Sequence, residues 1–154
     1  MIQGGDPDSR RARQGDTLGE GGPSYTIDAE FRPDLFHHRG VIAAAREGDD
    51  VNPKKASSGS QFYIVQGKIF TDAGLDSVEK YRLHGRKIPD AQRQVYKAIG
   101  GAPHLDQNYT VFGEVIEGME TVDSIAAVQT SGKPFDRPKT DIRILAAKLV
   151  KRKK

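Results

Sequence analysis

Short apolar runs fenced by glycine constrain what this chain can fold into more than any other feature. Val41-Ile42-Ala43-Ala44-Ala45 lies between Gly40 and Gly48, and Gln61-Phe62-Tyr63-Ile64-Val65 between Gly59 and Gly67. Runs of that length, so bracketed, read as buried core strands. Seventeen glycines and eight prolines recur at such intervals through the 154 residues, which predicts a mainly β architecture rather than a helical bundle. The length suits a single domain, residues 1–154, enclosing one core.

Further elements follow from local pattern. Ile2 to Gly5 reads as the end of a strand, and Val111 to Ile116 and Ile142 to Val150 as two more, the last with polar residues interleaved. Asp6 to Pro23 is a long polar loop. Its Gly19-Glu20-Gly21-Gly22-Pro23 segment follows no strong strand and opens no helix, so it is not a dinucleotide-binding loop. Met119, Val122, Ile125 and Ala126 recur every three or four residues, the stripe of an amphipathic helix. Lys68 to Gly101 has a different texture. Leu75, Val78 and Tyr81, then Val95, Tyr96 and Ile99, mark two helices joined by a basic turn, with Pro89 near the second start and Gly100-Gly101 at its exit. Gly74 weakens the first.

Several chemistries are excluded. The chain has no cysteine, hence no disulfide, thiolate metal site or cysteine nucleophile. His37, His38, His84 and His104 show no zinc-ligand spacing, and His37-His38 reads as a surface loop pair. Ser60 lacks the glycine of a nucleophile elbow, and Asp49-Asp50 reads as solvated. The formal charge of +3 owes much to Lys148, Lys151, Arg152, Lys153 and Lys154, a solvated tail rather than a nucleic-acid contact. No apolar run is long enough for a membrane span and no leader is visible, so the chain as written reads as soluble. An enzyme built from these residues needs no nucleophile, metal or cofactor.

Three segments carry a family resemblance in their order: Met1-Ile2-Gln3-Gly4-Gly5-Asp6, Gly59-Ser60-Gln61-Phe62-Tyr63-Ile64, and Pro103 to Gly113 with its Tyr109-Thr110-Val111-Phe112-Gly113 end. With Glu30-Phe31 and Gly118-Met119-Glu120 also in register, the chain resembles the cyclophilins, the peptidyl-prolyl cis-trans isomerases. The resemblance implies a closed β-barrel with short helices, with residues 68–101 as a helical insertion. It implies isomerisation of Xaa-Pro bonds in unfolded or flexible protein segments, without a cofactor. Gln3 would assist catalysis; Met1, Tyr63 and Leu105 would form the proline pocket; Ala45, Arg46 and Gln61 would hold peptide backbone. His104 and Tyr109 would close the pocket, standing where some members carry tryptophan and histidine. Arg46 replaces an asparagine and Tyr63 a phenylalanine, whose added hydroxyl needs a partner if buried. Strand alternation puts Gln61 and Tyr63 on one face and turns Phe62 to the other, to fill the core.

The family's segment before this methionine, with its first strands and a Phe-His-Arg sequence, has no counterpart among these residues. Met1 is therefore read as an internal methionine, and the catalytic arginine as lying on sequence upstream. Residues 1–154 alone are expected to be marginally stable and to turn over poorly. The compartment is cytoplasmic or, if a leader precedes Met1, the periplasm or cell envelope, and a monomer is expected. Two other readings stay open: a noncatalytic proline-peptide binding module, and a basic-tailed interaction protein whose partner meets residues 68–101.

Overall fold

The computed structural model describes residues 1–133 and 136–151; Arg152, Lys153 and Lys154 of the basic tail lie outside the described residues. In chain order the elements are β1 (Ile2–Gly4), β2 (Thr26–Ile27), β3 (Val41–Ala44), β4 (Ser57–Ser58), β5 (Phe62–Ile64), α1 (Asp72–Tyr81), α2 (Asp90–Ala98), β6 (Val111–Glu114) and α3 (Met119–Ala126). Short 3-10 turns occupy Pro7–Arg11 and Pro103–Leu105.

The glycine-fenced runs become the centre of an antiparallel sheet ordered β1-β5-β3-β6, and β2 pairs with β4 separately. Val41, Ala43, Ala45, Tyr63 and Val65 are buried and cluster with Ala102, with Leu105, Tyr109 and Val111 packed against them. The alternate residues Ile42, Phe62 and Ile64 are only half-buried. Alternation thus sorts the side chains as expected, but the core lies on the Tyr63 face. Phe62 does not fill it, because its own face of the sheet is only partly covered.

The expected barrel is not closed. Among the described residues β1 and β6 end the sheet and do not pair with each other. Residues 142–150 form no strand there: Ile144 is 69% exposed and Leu145 94%. Period-two alternation reports that a segment could lie on a sheet; a strand also needs a partner's backbone to satisfy its N–H and C=O groups.

Residues 68–101 carry their own apolar cluster of Phe70, Leu75, Leu83, Ile88 and Tyr96, joined by Phe36 and Val78. Both expected helices form. Thr71 caps α1, its Oγ1 accepting from the Gly74 N–H at 3.2 Å, which gives Gly74 a capping role in the first turn. Pro89 stands at the N-cap of α2, and Gly100 leaves it in the left-handed region at φ 85°. Tyr81 and Ile99 turn outward, at 65% and 47% exposure, and Glu79 takes an inward place instead. Its carboxylate bonds Lys87 at 2.6 Å, Arg93 at 2.9 Å and the Ile88 N–H at 3.0 Å, tying α1 to the turn and to α2.

The α3 stripe is as expected, with Val122 buried. Arg39 links it to the sheet by pairing with Asp123 and donating to the Gln66 carbonyl at 3.0 Å. No helix among the described residues is long and apolar enough to cross a membrane.

Candidate active site

Register across the sheet places Gln3 opposite Tyr63 and Tyr63 opposite Ala43, so neighbouring strands present one row of side chains. Ala45 and Arg46 follow β3, Leu105 closes its 3-10 turn, and Tyr109 precedes β6. These segments meet around a cavity of about 110 Å³ lined by Met1, Gln3, Ala45, Arg46, Tyr63, Leu105 and Tyr109. A larger hollow of about 350 Å³ beside Gln14, Asp16, Arg137 and Asp141 gathers none of the expected residues.

The Tyr63 and Tyr109 rings meet edge to face, centroids 5.7 Å apart at 83°, a favoured aromatic geometry. Arg46 lies over Tyr109 with its guanidinium carbon 4.7 Å from the ring centroid. Its Nε donates to the Asn108 carbonyl at 2.8 Å and its Nη1 to the Glu47 carbonyl at 2.8 Å, while Asp49 pairs with it at 2.7 Å. The Arg46 guanidinium beside Asp49 holds that carboxyl below its ordinary value. One side chain thus covers an aromatic wall and holds the loop bearing it.

Two expected site residues do not line the cavity. Gln61 stands behind Gln3, accepting from Gln3 Nε2 at 2.9 Å and donating to the carbonyls of Gly19 at 3.0 Å and Gly21 at 2.6 Å. The glycine-bearing loop is itself gathered by buried Asp6, whose carboxylate accepts from the N–H groups of Gly19 at 2.6 Å and Asp8 at 2.8 Å. Gly5 permits the turn there: at φ 92°, a Cβ would fall 2.1 Å from the Ser60 carbonyl oxygen. His104 is half-buried beside the pocket residue Leu105. Burial, helped by the Arg82 charge, pushes its pKa below the ordinary 6.5.

The main surprise is His37. Expected on the surface, it is fully buried. Its Nε2 lies 2.9 Å from the Tyr63 hydroxyl and its Nδ1 2.9 Å from Asp106 Oδ1. The Tyr63 hydroxyl, recognised from the sequence as needing a partner, finds one 26 residues away along the chain. The carboxylate is 69 residues from His37, and no local pattern announces either pairing.

The geometry defines an open notch walled by the Tyr63 and Tyr109 rings, with Met1, Gln3, Ala45, Arg46 and Leu105 completing its lining. The family model described as cyclophilin type peptidyl-prolyl cis-trans isomerase/CLD matches residues 1–149. The chain is similar to proteins named as candidate peptidyl-prolyl cis-trans isomerases from Staphylococcus saprophyticus, 34% identical over 97% of this chain, and Staphylococcus aureus strain USA300, 35% identical over 94%. It is also 34% identical, over 94% of its length, to a Streptococcus pyogenes protein named as a candidate bifunctional phosphatase/peptidyl-prolyl cis-trans isomerase. It spans 67% and 64% of the two staphylococcal proteins and 27% of the streptococcal one. The chain belongs to the cyclophilin-type peptidyl-prolyl cis-trans isomerase family.

Proposed function

We propose that this chain carries the peptide pocket of an enzyme that isomerises Xaa-Pro bonds in unfolded or flexible protein segments, assisting slow folding steps. The observation that supports the reading is the convergence of four separated chain segments on one small cavity lined by two tyrosine rings, Met1, Leu105 and the polar side chains of Gln3 and Arg46. Rotation about the Xaa-Pro bond faces a barrier of roughly 18–20 kcal/mol from amide resonance, and no covalent bond breaks. Catalysis then consists of holding the proline ring and bonding the groups whose charge changes as conjugation is lost.

Met1, Tyr63 and Leu105 supply the ring's apolar seat, with Tyr109 as its wall. Gln3 is the group closest in kind to a catalyst. Its bond to Gln61 fixes the amide and commits one N–H, leaving the second N–H and the carbonyl oxygen for substrate. Ala45 and Arg46 meet the peptide backbone, and Gln61 serves through Gln3. His104 borders the pocket through Leu105 and contributes at its outer edge.

Exchange spectroscopy on a short Xaa-Pro peptide tests the reading with the full-length protein. Cross-peaks between cis and trans signals are expected on a timescale far shorter than the uncatalysed tens to hundreds of seconds. Peptide binding without faster exchange would reassign the chain as a noncatalytic proline-peptide module. Absence of both would reject the pocket.

A further inference from the structure

A line of buried polar groups runs between the two apolar clusters, and the isomerisation reading uses only its first member. Tyr63 floors the cavity and reaches His37; His37 reaches Asp106; Asp106 Oδ2 accepts from the Tyr96 hydroxyl at 2.7 Å. Exposure is 0% at His37 and Tyr96, 2% at Tyr63 and 3% at Asp106. Tyr63 belongs to the sheet cluster and Tyr96 to the cluster of residues 68–101. Asp106 Oδ1 also accepts from the His37 backbone N–H at 2.8 Å, and the Asp106 carbonyl accepts from Arg86 at 2.7 Å.

The chemistry gives the line a direction. A carboxylate only accepts, so His37 carries a hydrogen on Nδ1; the buried Tyr63 hydroxyl meets only His37 Nε2 among the described groups, so a neutral ring that accepts there leaves no donor unpaired. Each buried group is thereby matched, and rotating any one of them leaves another unpaired at a cost. The His37 and Tyr63 rings lie nearly parallel, 17° apart, and the Tyr109 ring stands across both. Close approach at Gly101 fixes the far end: a Cβ there would fall 2.4 Å from the His37 carbonyl oxygen and 2.5 Å from the Tyr96 ring.

We infer that α2 buttresses the peptide pocket through Tyr96, Asp106 and His37, which act as positioning residues setting the plane of the Tyr63 ring and so the size of ring the pocket accepts. This deepens the isomerase reading and rests on it. The segment 68–101 then takes part in substrate selection without touching substrate. A five-membered proline ring is then expected to be preferred over the bulkier six-membered pipecolic acid ring in a cavity of about 110 Å³ whose floor is held in one plane.

The test measures affinity for a Xaa-Pro peptide and its pipecolyl counterpart in the full-length protein and in its Tyr96→Phe, Tyr63→Phe and doubly substituted variants. Both changes preserve ring shape and remove one hydroxyl. Tyr96→Phe is expected to reduce the preference for proline about fivefold, the scale of one neutral hydrogen bond. Tyr63→Phe is expected to reduce it similarly, and the double variant no further. The His37 ring nitrogen shifts, read without peptide, are expected to show hydrogen on Nδ1 in the unsubstituted protein and to move on Tyr96→Phe. An unchanged preference in Tyr96→Phe, equal and additive losses in both backgrounds, or unmoved His37 shifts would each overturn the inference while leaving the isomerase reading standing. Failure of the unsubstituted protein to bind either peptide would overturn both.

Discussion

Gln61 shows how one side chain joins a pocket to a distant loop. It takes one hydrogen bond from Gln3 and gives two to glycine carbonyls. Replacing it with leucine keeps the strand but strands three partners, and is expected to cost about 2 kcal/mol, from roughly 1 kcal/mol per bond less what water restores. Urea denaturation checks this, and turnover is expected to fall because the Gln3 amide is no longer held. Asp6 gives the same loop a pH dependence. Burial opposes its charge, but N–H donors from Gly19, Asp8 and Gly21 outweigh that and hold its pKa below the ordinary 3.8. A carboxyl lowered by folding stabilises the fold fully above that ordinary value and loses the contribution as pH falls through the lowered one. Protection of the Gly19 and Gly21 amides, taken as exchange relative to the intrinsic rate at each pH, is therefore expected to fall as acid is added below pH 3.8, and protection insensitive to acid would refute the tie. The segments that line the cavity were legible through the family resemblance carried by short local motifs, with strand alternation adding only which way Tyr63 faces. His37 was not, because its burial depends on Asp106 and Tyr63, which only the fold brings near.

Among the elements, the α1–α2 pair rests on a buried carboxylate. Glu79 is 3% exposed and holds Lys87, Arg93 and the Ile88 N–H. Lys87 foremost, with Ile88 and Arg93, lowers its pKa against the opposing effect of burial. Glu79→Ala leaves the Arg93 guanidinium and the Ile88 N–H without this partner, and a loss of about 3 kcal/mol is expected in chemical denaturation. Leu75, Val78 and Tyr96 announced both helices through their spacing. The same spacing put Tyr81 and Ile99 inward, because periodicity assigns a stripe and cannot tell how much of it a neighbour covers. Residues 142–150 teach the converse: their alternation is real, yet the described backbone meets no partner strand.

At the scale of the whole molecule, two apolar clusters meet across a polar seam, and that seam decides how the protein responds to alkali. Burial, with neighbouring Tyr109 and Asp106, raises the Tyr63 pKa far above the ordinary 10.0, and burial with Asp106 does the same for Tyr96. Groups raised by folding stabilise it fully below their unfolded value and lose that contribution as pH rises above it. Of the five tyrosines, Tyr25 and Tyr81 are well exposed, and the chain has no tryptophan to mask their ultraviolet absorption. The alkaline difference spectrum is therefore expected to show Tyr63 and Tyr96 ionising together, in one late cooperative step that coincides with loss of circular dichroism. Ionisation of these two phenols while the circular dichroism is still intact would mean that the seam is wet. The phenols that shape the pocket thus double as an intrinsic chromophore, reporting by colour alone whether its two halves are still joined.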